Sequence, residues 1–298
     1  MKSATEQAYR QRILRVLVHI QTHLDEALHL EELARVAHFS PYHFHRVFSG
    51  MVGESVMEHI RRLRLERAAN RLKSSDQAVT RLAFEAGYET HESFTRAFSS
   101  MFGVSPSQYR STQRSLAFGN VPSGVHYRPD GKLTDFQPFH SGGQPMDVRI
   151  ETVSPRRVAF MRHFGPYRQV GETWEKLMAW AGPKELVGPQ TMVVGVAHDD
   201  PDVTPTDKIR YDACITVDDT FKPEGGVGVQ QVGGGDYAIT THRGPYETVS
   251  QTIARLCGEW LPASGREARS APSFAVHRNS PYDTAPENLL TDIYLPLE

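Results

Sequence analysis

Residues 79–106 read VTRLAFEAGYETHESFTRAFSSMFGVSP, and their spacing decides the fold of the first third of the chain. Val79, Leu82, Ala83 and Ala86 fall at i, i+3, i+4 and i+7 on one helical face, and Phe94, Ala97, Phe98 and Met101 repeat those intervals. Gly87, which lacks a Cβ, permits the tight turn between them. Two short helices so joined predict a helix-turn-helix unit whose second helix turns His91, Glu92, Thr95 and Arg96 outward.

The same unit occurs earlier. Leu33, Ala34 and Ala37 reappear as Leu82, Ala83 and Ala86, 49 positions on, while Phe44, Arg46, Phe48, Met51, Gly53 and Ser55 reappear 50 positions on. Leu30 to Ala37 predicts one helix, His38-Phe39 a break, Ser40 an N-cap and Pro41 a first helical residue. Tyr42, His43, His45 and Arg46 then face outward. Between the copies, Ser55 and Glu58 form a capping box opening a helix to about Lys73. Its length is about 28 Å, against roughly 34 Å between successive major-groove faces of DNA. Arg61, Arg62, Arg64 and Arg67 on this rod are expected near phosphates.

These residues resemble the AraC/XylS family, whose second-unit signature matches Ala83 to Tyr88, Ser93 to Phe98, Phe102 to Pro106, and Tyr109-Arg110. The resemblance implies that Tyr42, His45 and Arg46, with His91, Glu92, Thr95 and Arg96, read base edges or nearby phosphates of promoter DNA. Glu92 can accept from cytosine or orient Arg96.

Charge agrees with that division. Residues 1–114 hold 16 Lys+Arg against 12 Asp+Glu, and the remaining 184 hold 17 against 23. Arginine dominates the basic part, and its planar fork suits phosphates and guanine edges. His38, His43 and His45 lack a fourth ligand at metal-site spacing, and the two cysteines form no CxxC pair. No metal or other cofactor is expected. Residues 1–15 predict no signal peptide or lipid anchor, and no run reaches the roughly 20 apolar residues of a membrane span. A soluble cytoplasmic protein is expected.

From Ser111 to Pro145, glycine and proline break every element, which predicts a linker over 113–145 between domains at 1–112 and 146–298. The second domain is also duplicated: His163, Gly165-Pro166-Tyr167 and Val170 recur 79 positions on as His242, Gly244-Pro245-Tyr246 and Val249. Val170, Trp174, Leu177, Met178 and Ala181 share helical intervals with Val249, Ile253, Leu256, Cys257 and Trp260. The fold class read from this is an all-α domain with two helix-turn-helix units on a long helix, then an α+β domain. The latter consists of two pseudo-symmetric strand-helix-strand-strand repeats, with a groove at their junction.

Alternation in the last strand puts Asp292 and Tyr294 opposite Ile293, Leu295 and Leu297, and Asp212 and Cys214 hold the matching places in the first repeat. With the apolar set in the core, the acid and tyrosine face the groove. A carboxylate among Tyr167, Trp174, Tyr246 and Tyr294 suits a cationic, apolar effector. Residues 147–298 look like the GyrI-like effector-binding domain, on the two Gly-Pro-Tyr turns, Arg210 to Cys214, and Asp292 to Pro296. The resemblance implies multidrug-type sensing with Asp292 and Tyr294 in the pocket, although the family usually has glutamate at the position of Asp292. Two other readings remain: a small hydrolase using Asp292 with Tyr246, or a module binding topoisomerase or polymerase. No nucleophile or phosphate-loop motif supports the former. The main reading is a non-enzymatic, sequence-specific transcription regulator with DNA, a small effector and RNA polymerase as partners.

Overall fold

The computed structural model describes residues 4–112, 118–199, 201 and 204–298; residues 113–117 of the expected linker lie outside the described set. The first part is helical: α1 (Ala4–Thr22), α2 (Leu30–Ala37), α3 (Pro41–Val52), α4 (Val56–Ser74), α5 (Val79–Glu85), α6 (His91–Phe102) and α7 (Pro106–Ser111). His38 takes a left-handed conformation after α2, and Ser55 and Glu58 close the capping box of α4.

Two cores hold these helices. Tyr9, Ile13 and Leu17 of α1, Phe44 and Phe48 of α3, and Val56, Ile60 and Leu63 of α4 belong to the first. Leu65, Ala68, Ala69 and Leu72, further along α4, pack with Leu82, Phe94, Phe98 and Tyr109 in the second. One rod therefore contributes to both units.

The second part has β1 (Arg149–Val153), β2 (Arg156–Phe164), α8 (Val170–Ala181), β3 (Val193–Ala197), β4 (Arg210–Thr216), β5 (Gly228–Val232), β6 (Gly235–Arg243) and α9 (Val249–Arg255). A wide π-helical turn, Leu256–Trp260, leads into α10 (Leu261–Ser264), followed by β7 (Phe274–His277) and β8 (Leu290–Pro296). Regular spacing from Val249 to Trp260 predicts a helix of ordinary pitch, and the structure departs from it. Pro262 cannot donate to the carbonyl four residues back, and Leu261 N–H bonds to Leu256 O instead.

The strands form one antiparallel sheet in the order β1-β6-β8-β7-β3-β4-β2-β5. β5 ends one edge, yet only Gly233 and Gly234 separate it from β6, and Gly234 N–H reaches Val153 O of β1 at 3.0 Å. The sheet consequently curls into a half-barrel. Its outer face packs Ala159, Ala213 and Ile215 under α8, and Ala238, Ile293 and Leu295 under the α9–α10 segment. Val158, Val194, Cys214, Ile239, Phe274 and Val276 fill the inside of the curl.

Residues 118–145 contain no helix or strand, but they form a strap with polar anchors. Val125 and Phe136 are buried in the first helical core. Glu66, fully buried on α4, accepts from His126 Nδ1 (2.9 Å) and Tyr127 N (2.7 Å), while Arg62 donates to Val125 O at 2.9 Å. Arg10 grips Asp135 at 2.6 Å, and Phe139 N–H bonds to Met51 O at 2.7 Å.

The first core also continues into Leu256, Cys257 and Leu261 of the strand-rich half. α3 lies so close to the π turn that a Cβ on Gly50 would meet Ala254 O and stand 2.8 Å from Gly258 Cα and N. Two glycines at the crossing allow backbone-to-backbone approach.

Candidate DNA interface and effector site

In α6 the core takes Phe94 and Phe98, which leaves Glu92 and Arg96 exposed and His91 and Thr95 partly exposed. Thr90 caps the helix by accepting from Ser93 N at 3.1 Å. Arg96 makes no ion pair among the described residues. In α3, Tyr42 is 43% exposed and Arg46 partly exposed.

The two histidines expected to face outward on α3 do not. His45 is 4% exposed and shares a 3.3 Å contact with Ser49 Oγ along its own helix. His43 is 1% exposed and its Nε2 donates to Arg269 O of the strand-rich half at 2.9 Å. Burial, aided by the charge of Arg46, pulls its pKa down to about 4. The physical cause is the domain packed along this flank of α3, which amphipathic spacing within one helix cannot report.

The rod arginines also divide. Arg61 is exposed, as the phosphate expectation requires. Arg62 bonds Glu54 (3.0 Å) and Glu66 (2.9 Å), Arg64 donates to Leu24 O and Glu26 O, and Arg67 binds Asp25 and Glu85 O at 2.8 Å each. These three tie helices and strap together, which overturns their expected place at phosphates. Burial alone would raise the Glu54 carboxyl, but bonds from His59 and Arg62 hold it at about 2.

The six expected effector residues fall on two faces of the sheet. Asp292 and Tyr294 lie inside the curl, in register with Thr241, Val276, Ile239 and Phe274. Tyr294 stacks on Phe274 with centroids 4.5 Å apart. Asp292 is 1% exposed and accepts from Thr241 (2.6 Å), Arg278 (2.8 Å) and Arg149 (3.1 Å); against the upward push of burial, these bonds lower its pKa. Asp212 also faces inward, held by both arms of Arg162 (2.7 and 2.8 Å), His198 (2.7 Å) and Gln230 (2.9 Å). Burial opposes its ionisation, yet these partners keep it at about 2.

Tyr167, Trp174 and Tyr246 sit instead on the outer face, where they meet two residues that pattern reading missed. Tyr211 lies 5.9 Å from Tyr167 and 6.3 Å from Trp174, and His277 lies 5.6 Å from Trp174 and 5.0 Å from Tyr246, centroid to centroid. Beneath them Gly195 pairs with Ala213 and Ala275. A Cβ on Gly195 would collide with the Tyr211 hydroxyl and stand 3.3 Å from His277 Nε2. Alternation held the missing signal: Tyr211 and His277 have the opposite parity to Asp212, Cys214 and Val276.

The sheet thus separates Asp292 from Tyr246, so the acid–base pair considered from sequence does not share a site. An open cleft of about 510 Å³ lies elsewhere, between residues 144–149, β6 and α9, with Arg149, Thr241, Arg243 and Arg255 on its walls. None of the six expected effector residues lines it.

A family model described as a GyrI-like small molecule binding domain matches residues 146–298, and one described as a helix-turn-helix domain matches residues 33–112. The chain is 36% identical over 155 residues to the probable transcriptional regulator YgiV of Escherichia coli K12, covering 51% of this chain and 96% of that one. It is 36% identical over 132 residues to the uncharacterized HTH-type transcriptional regulator YbfP of Bacillus subtilis 168; there the match takes in 44% of this chain and 45% of YbfP, under half its length. Against the right origin-binding protein of E. coli K12 the identity is 23% over 294 residues, or 95% of this chain and 96% of that one. Among the described residues no helix is long and apolar enough to cross a membrane.

Proposed function

This chain belongs to the GyrI-like small molecule binding family and carries an AraC-type helix-turn-helix domain ahead of it, and on that premise we propose that an apolar effector controls its sequence-specific reading of promoter DNA. The general activity, DNA-binding transcription regulation with a ligand-binding domain, follows from the two family matches and the regulators it resembles. The finer reading assigns base or phosphate contacts to Tyr42, Arg46, His91, Glu92, Thr95 and Arg96, and a sequence-blind phosphate contact to Arg61. RNA polymerase is its proposed protein partner, and 1–112 and 146–298 its functional division, with the strap between them.

The effector site is assigned to the groove between α8 and α9. One observation carries this: Tyr167, Trp174, Tyr211, Tyr246 and His277 converge there from both halves of the sheet above small residues. A duplicated origin accounts for the convergence. Each half runs two strands, a 3-10 turn, a helix and two strands, one strand more than the expected repeat, and the 79-residue offset also relates the His163–Thr173 contact (3.2 Å) to His242–Thr252 (2.8 Å). Asp292 and Asp212 are then ion-paired supports, and a non-catalytic role fits their full complement of partners.

Selection of bound genomic fragments tests the DNA assignment: Arg46→Ala and Arg96→Ala should erase sequence preference, and an unchanged selection refutes it. For the effector, Trp174→Ala should abolish ligand-dependent change in that selection, with Asp292→Ala keeping affinity within about twofold. The opposite ranking refutes the groove.

A further inference from the structure

Resting on the groove just assigned, we propose that the effector is an uncharged planar aromatic molecule whose heteroatom hydrogen-bonds His277. Both ring nitrogens of His277 are shielded from solvent and neither has a partner. Buried polar atoms without partners are uncommon, and a neutral imidazole offers one donor and one acceptor. Trp174 and Tyr246 lie steeply inclined to this ring, at 86° and 75°, so a flat ligand seated against them meets aromatic groups and the imidazole together.

Charge argues in the same direction. The carboxylates suited to a cation, Asp212 and Asp292, face the inside of the curl and are already neutralised by Arg162, Arg149 and Arg278. The groove floor beside His277 is Gly195 and Ala275, with the uncharged Tyr211 hydroxyl lying over Gly195. Burial alone lowers the His277 pKa to about 4, with no contribution from an acidic neighbour. A cation would lose its water there without gaining a counter-charge. A neutral heteroaromatic loses less and satisfies the imidazole.

Three probes of nearly one shape separate the possibilities: quinoline, naphthalene and N-methylquinolinium, titrated into the full-length chain at pH 7.5 by equilibrium dialysis. Quinoline, neutral with a ring-nitrogen acceptor, should bind about tenfold tighter than either of the others. His277→Phe should remove its advantage over naphthalene while naphthalene still binds, and His277→Gln, which keeps a donor, should retain part of it. Equal or tighter binding of N-methylquinolinium, equal binding of naphthalene, or binding of none of the three overturns the inference. A quinoline preference that persists in His277→Phe but is lost in Trp174→Ala also overturns it and leaves the groove standing. If quinoline binding ignores both changes, the groove assignment fails as well.

Discussion

Gly50→Ala should destabilise this protein although the same change in most helices stabilises. Gly50 lies inside α3, where alanine gains about 0.8 to 1.0 kcal/mol over glycine from backbone entropy. Here the new methyl would meet Ala254 O and the Gly258 backbone, the latter at 2.8 Å. Carbon contacts rest at about 3.5 to 4.0 Å, so the crossing must open by about 1 Å. Both obstacles are backbone, and no side chain can rotate out of the way. Overpacking of that kind costs about 1 to 3 kcal/mol, and α3 and the π turn share one core, so the strain spreads into it. Net destabilisation of about 1 to 2 kcal/mol is expected after the propensity gain. Urea unfolding followed by far-ultraviolet circular dichroism and by tryptophan fluorescence measures it; Trp260, within the π turn, is the one of the three tryptophans near the crossing. If Gly50→Ala raises the midpoint by the helix-propensity amount, α3 and the π turn are not in contact in solution.

Glu66→Leu should release the strap, because Arg62, His126 and Tyr127 N lose a fully buried acceptor. A loss of about 3 to 5 kcal/mol and faster proteolytic cleavage within residues 119–135 are expected, and unchanged cleavage counts against the strap as an anchored element. Acid should also destabilise the fold in a defined window. His43 and His277 fall from the ordinary 6.5 to about 4 through burial, so the unfolded chain takes up their protons first. Their contribution is complete above about pH 6.5, is lost as pH falls toward 4 and then levels off, at about 3 kcal/mol per histidine. Glu54 and Asp212, held at about 2, begin to matter only below about pH 4.5. Urea midpoints that stay flat between pH 7.5 and 4.5 would contradict the burial of both rings.

Local chemistry made the helical part legible. Caps, proline and glycine positions and a period of 3.6 residues act within one or two turns, and α2 to α6 begin and end close to where Pro41, Ser55, Gly87 and Gly103 require. Arg62, Arg64 and Arg67 on the rod were misread for a physical reason. A charged residue on a helix indicates solvent or phosphate only when one face is free, and α4 lies between two cores, the strap and neighbouring helix ends. Arg62 with Glu66 at i+4 was the available hint of an internal tie.

Period-two reading in β8 separated Asp292 and Tyr294 from Ile293 and Leu295 correctly; the error lay in the assumption that only one face is a core. That holds for a flat sheet covered on one side. In a sheet curled into a half-barrel both faces are buried, one by helices and one by the sheet's own far strands, so alternation identifies partners on a face without naming what covers it. Buried carboxylates on the inner face must then find cations within the protein, as Asp212 and Asp292 do. The outer face is left with a helix on each half and a seam between them, where the small residues Gly195 and Ala275 make room for rings. A pair of helix-bearing halves joined edge to edge creates such a seam whatever its sequence. What individual residues decide is its chemistry, and a pattern of hydrophobicity cannot show that the imidazole of His277 is among the polar groups there.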